Sequence, residues 1–294
     1  ALSALEVNDT ESSTRCKSKY KEPSADDKLG SGAYGTVYEV GTDTWMEKHR
    51  EYYALKVPNK NDRQAAHCAQ QEIKVMGALS AIKDGKKECG YVLPMLDENP
   101  CVGGTIYKNA IVTPVMKWNL QKWSSSSNLA FDLARTFNPS ALDKCAKKVL
   151  IDVAYGLTCL RDAGYVHGDV SAANIFFNSQ DKDSCPEGIE LGDFGLAKKI
   201  GSLEAKYDAH LYHTSVHLPG SLFDGAPDPL KISTIKTSQG RDLKVYEVDT
   251  RVDLCSLAYV IWSIFDVRSQ DLQNAIGGEG ACGMMGHGRK VLLP

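Results

Sequence analysis

The sequence predicts an α+β chain of two lobes, a small β-rich first lobe and a mainly helical second one. Three observations carry this. Strand-like segments rich in Val, Tyr and Leu, with glycines between them, crowd into residues 29–58. One helical rhythm follows, with apolar residues at Ala65, Ala66, Ala69, Ile73, Met76 and Leu79. From Asn138 onward the longest patterned segments are helical, and Leu254–Phe265 is an apolar run with the length of a buried core helix.

Taken in order, residues 1–22 are polar, lack sustained periodicity and read as a tail. The first lobe is placed at 23–116. It takes strands from LGSGAYGTVYEV and YYALKVP, the helix Ala65–Ile82, and two further strands from YVLPMLDE and AIVTPVM. The second lobe is placed at 117–294. SSSS at 124–127 reads as a loop, and Asn138-Pro139-Ser140 as a helix start. Leu142, Cys145, Ala146, Val149, Leu150, Val153, Leu157 and Leu160 then form one stripe, on a helix that ends near Gly164. NIFF and GIEL read as short strands around the polar loop NSQDKDSCPE. Residues 198–246 read as irregular, up to the buried helix near Asp253. Beyond Val267, GGEGACGMMGHGRKVLLP shows little helical periodicity, so the second lobe reads as truncated or replaced there.

Composition narrows the function classes. A net charge of -3 gives no global reason to expect nucleic acid or an anionic membrane as partner. No apolar run reaches the length needed to span a bilayer. The nine cysteines include no CxxC pair, which argues against a zinc site. Several fall on apolar helical faces, so they are expected to be mostly reduced, though Cys89 and Cys101, or Cys185 in a loop, could bridge. The compartment stays open.

The chemistry concentrates in four motifs. Gly30-Ser31-Gly32-Ala33-Tyr34-Gly35-Thr36-Val37 is GxGxxGxV between strand-like segments. Lys56 follows in a strand flanked by Leu55 and Val57; a lysine buried there needs a carboxylate, and Glu72 at mid-helix is the obvious one. His167-Gly168-Asp169 has Asn174 five residues after its aspartate, and Asp193-Phe194-Gly195 comes next. Glycines let backbone N–H groups approach phosphates without a Cβ in the way. Asp193 and Asn174 offer the hard oxygen ligands that Mg²⁺ prefers, and Asp169 can accept or orient a hydroxyl proton.

In order and spacing these motifs resemble the eukaryotic protein kinase superfamily, from about Leu29 through the helix around Asp253. The resemblance implies a bilobal kinase-like fold and an ATP-dependent transfer of the γ-phosphoryl group to a protein hydroxyl, with Ser/Thr the expected acceptor. It implies that Gly30, Ser31, Gly32, Ala33 and Gly35 cradle ATP. Lys56 holds the α/β-phosphates while Glu72 fixes its side chain, Asn174 and Asp193 hold Mg²⁺, and Asp169 is the base. Val37, Ala54 and Phe176 sandwich the adenine, with Thr113 at the gatekeeper and Pro114 and Met116 presenting backbone to its edge. Met76, Leu96, His167 and Phe194 match an internal spine, and Asp253 the buried aspartate that ties down the catalytic loop. The HGD-type loop, the polar insert KTSQGRDLKVYEVDT and the scattered cysteines also resemble the secreted rhoptry-type kinases of apicomplexan parasites. A cytoplasmic site is implied for an ordinary kinase, a secreted one for that group.

The pattern departs from the family at named positions. Gly168 replaces the usual arginine before the catalytic aspartate, so switching through a phosphorylated activation segment is absent or differently wired. Ser171 and Ala173 stand where such kinases usually place a lysine or arginine. Removal of one transition-state donor costs on the order of 10²–10³ in rate. Lys198 and Lys199 are an alternative source of charge or a solvated pair. Ala226-Pro227-Asp228 stands for the APE motif, with Thr214, Ser215 and Ser221 in the activation segment. Three functions compete: an active protein kinase acting on an unidentified protein substrate, a pseudokinase or nucleotide-binding scaffold, and a small-molecule kinase of the aminoglycoside or choline type, which also uses HGD with an asparagine five residues on. The retained Lys56, Glu72, Asp169, Asn174, Asp193 and glycine loop favour the first.

Overall fold

The computed structural model describes residues 16–42, 51–82, 89–126, 139–178, 185–205, 232–236 and 240–265. They fall into two compact units, one within Ala1–Lys83 and Leu93–Met116, the other within Asp84–Val92 and Lys117–Pro294.

The first unit is built on an antiparallel sheet with one helix. Its strands are β1 (Lys28–Ser31), β2 (Gly35–Gly41), β3 (Tyr52–Pro58), β4 (Asp97–Glu98), β5 (Cys101–Val102), β6 (Thr105–Ile106) and β7 (Ile111–Pro114). The main sheet has the order β1-β2-β3-β7-β4, and β5 and β6 form a separate hairpin whose turn residues, Gly103 and Gly104, have φ of 57° and 86°. Of the segment YVLPMLDE, only β4 is paired as a strand in this sheet. Between β3 and β4 lies α1 (Arg63–Ser80). Its start is fixed by Asp62, whose carboxylate accepts from the backbone N–H of Gln64 and Ala65 at 2.8 and 3.1 Å.

Side chains alternate across a strand, so the register of β2, β3 and β7 sorts the sheet into two faces. Val40, Leu55 and Val112 join Tyr20, Val102 and Ala110 in a buried cluster. Tyr20, within the stretch read as a tail, therefore belongs to the core. Tyr20 is 1% exposed, the Lys19 N–H donates to Cys101 O at 3.1 Å, and the Gly103 N–H donates to Tyr20 O at 3.0 Å.

The second unit opens with β8 (Trp118–Asn119), α2 (Leu120–Ser126) and α3 (Pro139–Asp162). α3 buries the predicted stripe from Leu142 to Leu160, apart from the half-buried Leu150, and stops at Gly164, whose φ of 84° suits a residue without a Cβ. Then come β9 (Tyr165–Val166), β10 (Ile175–Phe177), β11 (Glu190–Leu191), β12 (Lys198–Lys199), β13 (Leu203–Ala205), β14 (Ile232–Lys236), β15 (Asp242–Glu247) and α4 (Arg251–Phe265). The sheets are β11-β10-β8, β12-β9 and β13-β15-β14. α4 packs on α3 and buries Val252, Leu257, Val260, Ile261 and Phe265, as its apolar run requires. No helix among the described residues is long and apolar enough to cross a membrane.

Three expectations are corrected. The serine run begins inside α2 rather than in a loop: Ser124 and Ser125 satisfy their hydroxyls on Gln121 O at 2.9 Å, and the helix is anchored by the buried Trp123. The stretch 198–246 is not uniformly irregular: it contributes β12 and all of β13-β15-β14. The cysteines are not mostly reduced. Disulfides join Cys16 to Cys101, Cys89 to Cys159 and Cys145 to Cys185, with Cα–Cα distances of 6.0, 6.3 and 5.5 Å. Helical position alone could not reveal these bridges, since a cysteine on an apolar stripe is equally suited to packing as a thiol.

Candidate active site

In the first unit the site begins at the glycine hairpin. β1 and β2 pair as Gly30 with Val37 and Ser31 with Thr36, and the Gly32 N–H donates to Gly35 O at 2.8 Å, turning the chain through Ala33 and Tyr34. The glycines are there for different reasons. A Cβ on Gly35 would lie 2.7 Å from Val57 O, so strand packing demands glycine at that point. At Gly30 and Gly32 a Cβ would meet nothing within 4 Å, and the backbone is open to an incoming group. Asn59, which sequence reasoning missed, clips the tip: its side-chain amide donates to Ala33 O at 2.7 Å, and its backbone N–H to Tyr34 O at 3.1 Å. Its only sequence signal is a polar residue after Pro58, which is also what any turn looks like.

Val37 pairs with Lys56 and Lys56 with Ile111; Glu39 pairs with Ala54 and Ala54 with Thr113. Cross-strand partners share a face, so Val37, Ala54, Lys56 and Thr113 lie together, opposite the Tyr20 cluster. Lys56 Nζ stands 2.8 Å from Glu72 Oε2, with side-chain exposures of 25% and 5%. Glu72 occupies the apolar stripe of α1 among Ala65, Cys68, Val75, Met76 and Leu79. A carboxylate in that position is tolerable because the ammonium compensates it. Thr113 is buried and donates its hydroxyl to Pro114 O at 3.4 Å; Pro114 and Met116 are half-buried at the end of β7 and just beyond it.

In the second unit the loop after β9 is held from below. The Asp253 carboxylate accepts from the His167 N–H at 2.7 Å and the Gly168 N–H at 2.8 Å. Burial pushes the Asp253 carboxyl up to about 7, against the pull of those two N–H groups. Gly168 has φ of 76°, where glycine is unstrained. The Asp169 N–H donates to His167 Nδ1 at 3.2 Å, so Nε2 carries the proton it gives to Gly192 O at 3.1 Å. Burial holds His167 below its ordinary pKa, in keeping with this neutral tautomer.

Asn174 sits at the end of the 3₁₀ turn Ala172–Asn174. Its Nδ2 donates to both the backbone O and Oδ2 of Asp169, each at 2.9 Å, and its backbone O accepts the Gly192 N–H at 3.0 Å. One residue thus ties Asp169 to the strand that leads to Asp193. With Nδ2 spent on Asp169, the carbonyl Oδ1 is the end of Asn174 able to ligate a cation. Together with the Asp193 carboxylate this is a small set of hard oxygens. It fits Mg²⁺, which takes its remaining ligands from phosphates and water. Asp193 has φ of 63°, a left-handed conformation that a non-glycine residue holds only where its surroundings impose it. Phe176, on β10, is half-buried.

With the geometry described, comparison with known proteins is decisive at the level of family. A profile of the protein tyrosine and serine/threonine kinases matches residues 24–217, about two thirds of the chain. The chain belongs to the protein kinase family.

Among curated kinases it is 25% identical over 221 residues to the tyrosine-protein kinase hopscotch of Drosophila melanogaster, covering 75% of this chain and 16% of hopscotch. It is 35% identical over 86 residues to the proto-oncogene serine/threonine-protein kinase mos of Sus scrofa, covering 29% of this chain and 23% of mos. It is also 26% identical over 180 residues to the serine/threonine-protein kinase cst-1 of Caenorhabditis briggsae, covering 61% of this chain and 30% of that protein. The chain therefore spans less than a third of the length of each.

Within this member of the family the departures from the family pattern can be placed. Ser171 is 4% exposed, and its backbone O accepts the Asn174 N–H at 3.0 Å. β12 pairs Lys198 with Val166 and Lys199 with Tyr165, which sets Lys198, half-buried, beside the residue preceding His167. Of the expected spine, His167 and Phe194 stack at 5.3 Å and Met76 is buried, whereas Leu96 is 44% exposed. Ala226-Pro227-Asp228, Thr214, Ser215, Ser221 and the stretch beyond Val267 lie outside the described residues.

Proposed function

We propose that this kinase domain transfers the γ-phosphoryl group of Mg²⁺–ATP to a serine or threonine hydroxyl of a protein substrate. The observation that carries the reading is the Lys56–Glu72 pair at 2.8 Å, set on the same sheet face as Val37, Ala54 and Thr113. A buried carboxylate on an apolar helix stripe is expensive to retain, and holding Lys56 for phosphate is the chemistry that makes sense of it. ATP supplies the phosphoryl group and Mg²⁺ neutralises the charge that builds on it.

The chain's own residues do the positioning. Gly30, Ser31, Gly32, Ala33 and Gly35 offer backbone N–H groups to the phosphates, with Asn59 fixing the turn. Lys56 holds the α/β-phosphates at an orientation set by Glu72. Val37, Ala54 and Phe176 take the adenine ring, Thr113 lines its inner end, and Pro114 and Met116 meet its edge. Asn174 and Asp193 hold the cation, and Asp169, oriented by Asn174 Nδ2, accepts the hydroxyl proton. Serine or threonine is preferred because two of the three relatives named above are serine/threonine kinases.

Incubation with labelled ATP and generic protein substrates tests this. Label should appear on serine or threonine, require Mg²⁺, and fall by at least ~10²-fold in Asp169→Ala, as loss of a general base does. Label transfer unaffected by that change removes Asp169 from its role. A second reading is favoured by one observation: Ser171, buried and uncharged, stands where a basic residue assists transfer. On that reading the domain binds nucleotide without turnover, and the outcome is a Mg²⁺-dependent thermal shift by ATP with no label transferred.

A further inference from the structure

The three disulfides are absorbed by nothing in the kinase reading, and they are not local features. They join positions 85, 70 and 40 residues apart in sequence, and each pair has its Cα atoms at a separation a disulfide can span. Three such coincidences in one domain are not expected of a chain folded where glutathione keeps thiols reduced.

Two of the bridges share a helix. Cys145 and Cys159 both lie on α3, and their partners, Cys185 and Cys89, sit on the two segments that flank β11. Cys185 lies just ahead of β11 in the chain. Cys89 begins the segment whose Tyr91 O accepts the Leu191 N–H at 2.9 Å and whose Val92 bridges Leu191. The packing beneath is tight: a Cβ on Gly156 of α3 would lie 2.7 Å from Tyr91 O and 3.4 Å from Leu191 Cβ. β11 runs directly into Gly192, bound to Asn174 O, and then into Asp193.

We propose that this kinase domain matures and works in an oxidising compartment, and that Cys89–Cys159 and Cys145–Cys185 together clamp to α3 the strand that presents Asp193. Closing each bridge converts two thiols into one disulfide. The two electrons and two protons released pass to an oxidised thiol partner, a small-molecule or protein disulfide that is reduced to two thiols. The substrate class follows: hydroxyls of proteins that share that compartment. The role of Asp193 in this proposal rests on the kinase reading; the bridges and the compartment do not.

The test uses the full chain made through a secretory route and, in parallel, in a reducing cytosol. Secreted protein, alkylated without reductant and digested, should yield the linked peptides Cys16–Cys101, Cys89–Cys159 and Cys145–Cys185, and a reductant should lower its Tm by several degrees. Cytosolic protein with those six cysteines alkylated and an unchanged Tm overturns the compartment. For the clamp, the Mg²⁺ midpoint of the thermal shift at fixed ATP is read for the paired variants Cys89→Ser/Cys159→Ser and Cys145→Ser/Cys185→Ser, with Cys16→Ser/Cys101→Ser as control. The α3 pairs should raise the midpoint severalfold, and the control should lower Tm alone. A midpoint that moves no more in the α3 pairs than in the control overturns the clamp. If a paired variant fails to fold, stepwise reduction of the unaltered protein reads the same midpoint as each bridge opens. A chain that binds Mg²⁺–ATP with the expected linkage map yet transfers no label keeps this proposal and removes the catalytic one.

Discussion

Asp253 shows how one residue can set the geometry of a loop it does not belong to. Its two carboxylate oxygens take the N–H groups of His167 and Gly168, and burial raises its pKa from an ordinary 3.8 to about 7. A carboxyl whose folded pKa lies above its unfolded one binds the extra proton when folded. The stability it contributes is full below pH 3.8 and is lost as pH rises toward 7. His167, kept neutral by burial, has the opposite dependence, but it is present equally in an Asp253→Asn variant. That variant should be less stable by about 1–3 kcal/mol, since its amide meets one backbone N–H with a donor. The gap in unfolding free energy from the unaltered protein should narrow between pH 5 and pH 8. Denaturant titrations across that range decide it, and a gap that is constant or widens shows that Asp253 is ionised throughout. At Ser171 the expectation concerns rate: if the missing cation limits transfer, Ser171→Lys raises kcat by about tenfold or more, within the 10²–10³ that one transition-state donor supplies. Steady-state kinetics with kcat unchanged would place the deficit elsewhere.

At the scale of elements, the glycine hairpin depends on a residue outside its own motif. Asn59 holds Ala33 O and Tyr34 O after β3 has ended, so the tip is pinned by the strand that also carries Lys56. Asn59→Ala leaves the sheet pairing and the backbone bond to Tyr34 O intact, and loosens the tip by removing the side-chain bond to Ala33 O. KM for ATP should rise severalfold with Tm within about 2 °C, the scale of a surface change of ±0.5 kcal/mol. An unchanged KM would reduce the clip to decoration. Elements were legible wherever the apolar pattern is periodic or unbroken: the stripes of α1 and α3 and the apolar run of α4 announce themselves, as do β2, β3 and β7. The hairpin of β14 and β15 was not, because ISTIK and DLKVYE carry more polar than apolar residues, and Ser233–Lys236 are exposed. In the candidate site, the Lys56–Glu72 pair was legible because a buried ammonium needs a carboxylate. Asn59 and the Tyr91 carbonyl, which act through backbone bonds to distant segments, left no mark in residue type.

At the scale of the whole molecule, the family profile and the folded core begin at different residues. The profile starts at residue 24, whereas one face of the first unit's sheet is covered by Tyr20. Tyr20 fills the space over Val40, Leu55 and Val112; its ring meets Tyr53 edge-on at 5.8 Å, and its hydroxyl donates to Asp97 at 3.3 Å. Cys16 closes the segment onto β5 through Cys101. A polar lead-in reads as a tail because one aromatic and one cysteine produce no periodicity, yet these two side chains attach it together with its backbone bonds to Gly41, Cys101 and Gly103. A chain begun at Pro23 keeps every residue of the kinase profile and loses both. Removing a buried aromatic of this size costs about 3–5 kcal/mol, and opening a disulfide over so long a loop a further ~2–4 kcal/mol. The shortened chain should therefore unfold at markedly lower urea, with most of the loss reproduced by Tyr20→Ala together with Cys16→Ser in the full chain. Equal midpoints for the chain begun at Pro23 and the one begun at Ala1 would show that this face of the sheet needs no cover. In that case the boundary drawn by the family would also be the boundary of the fold.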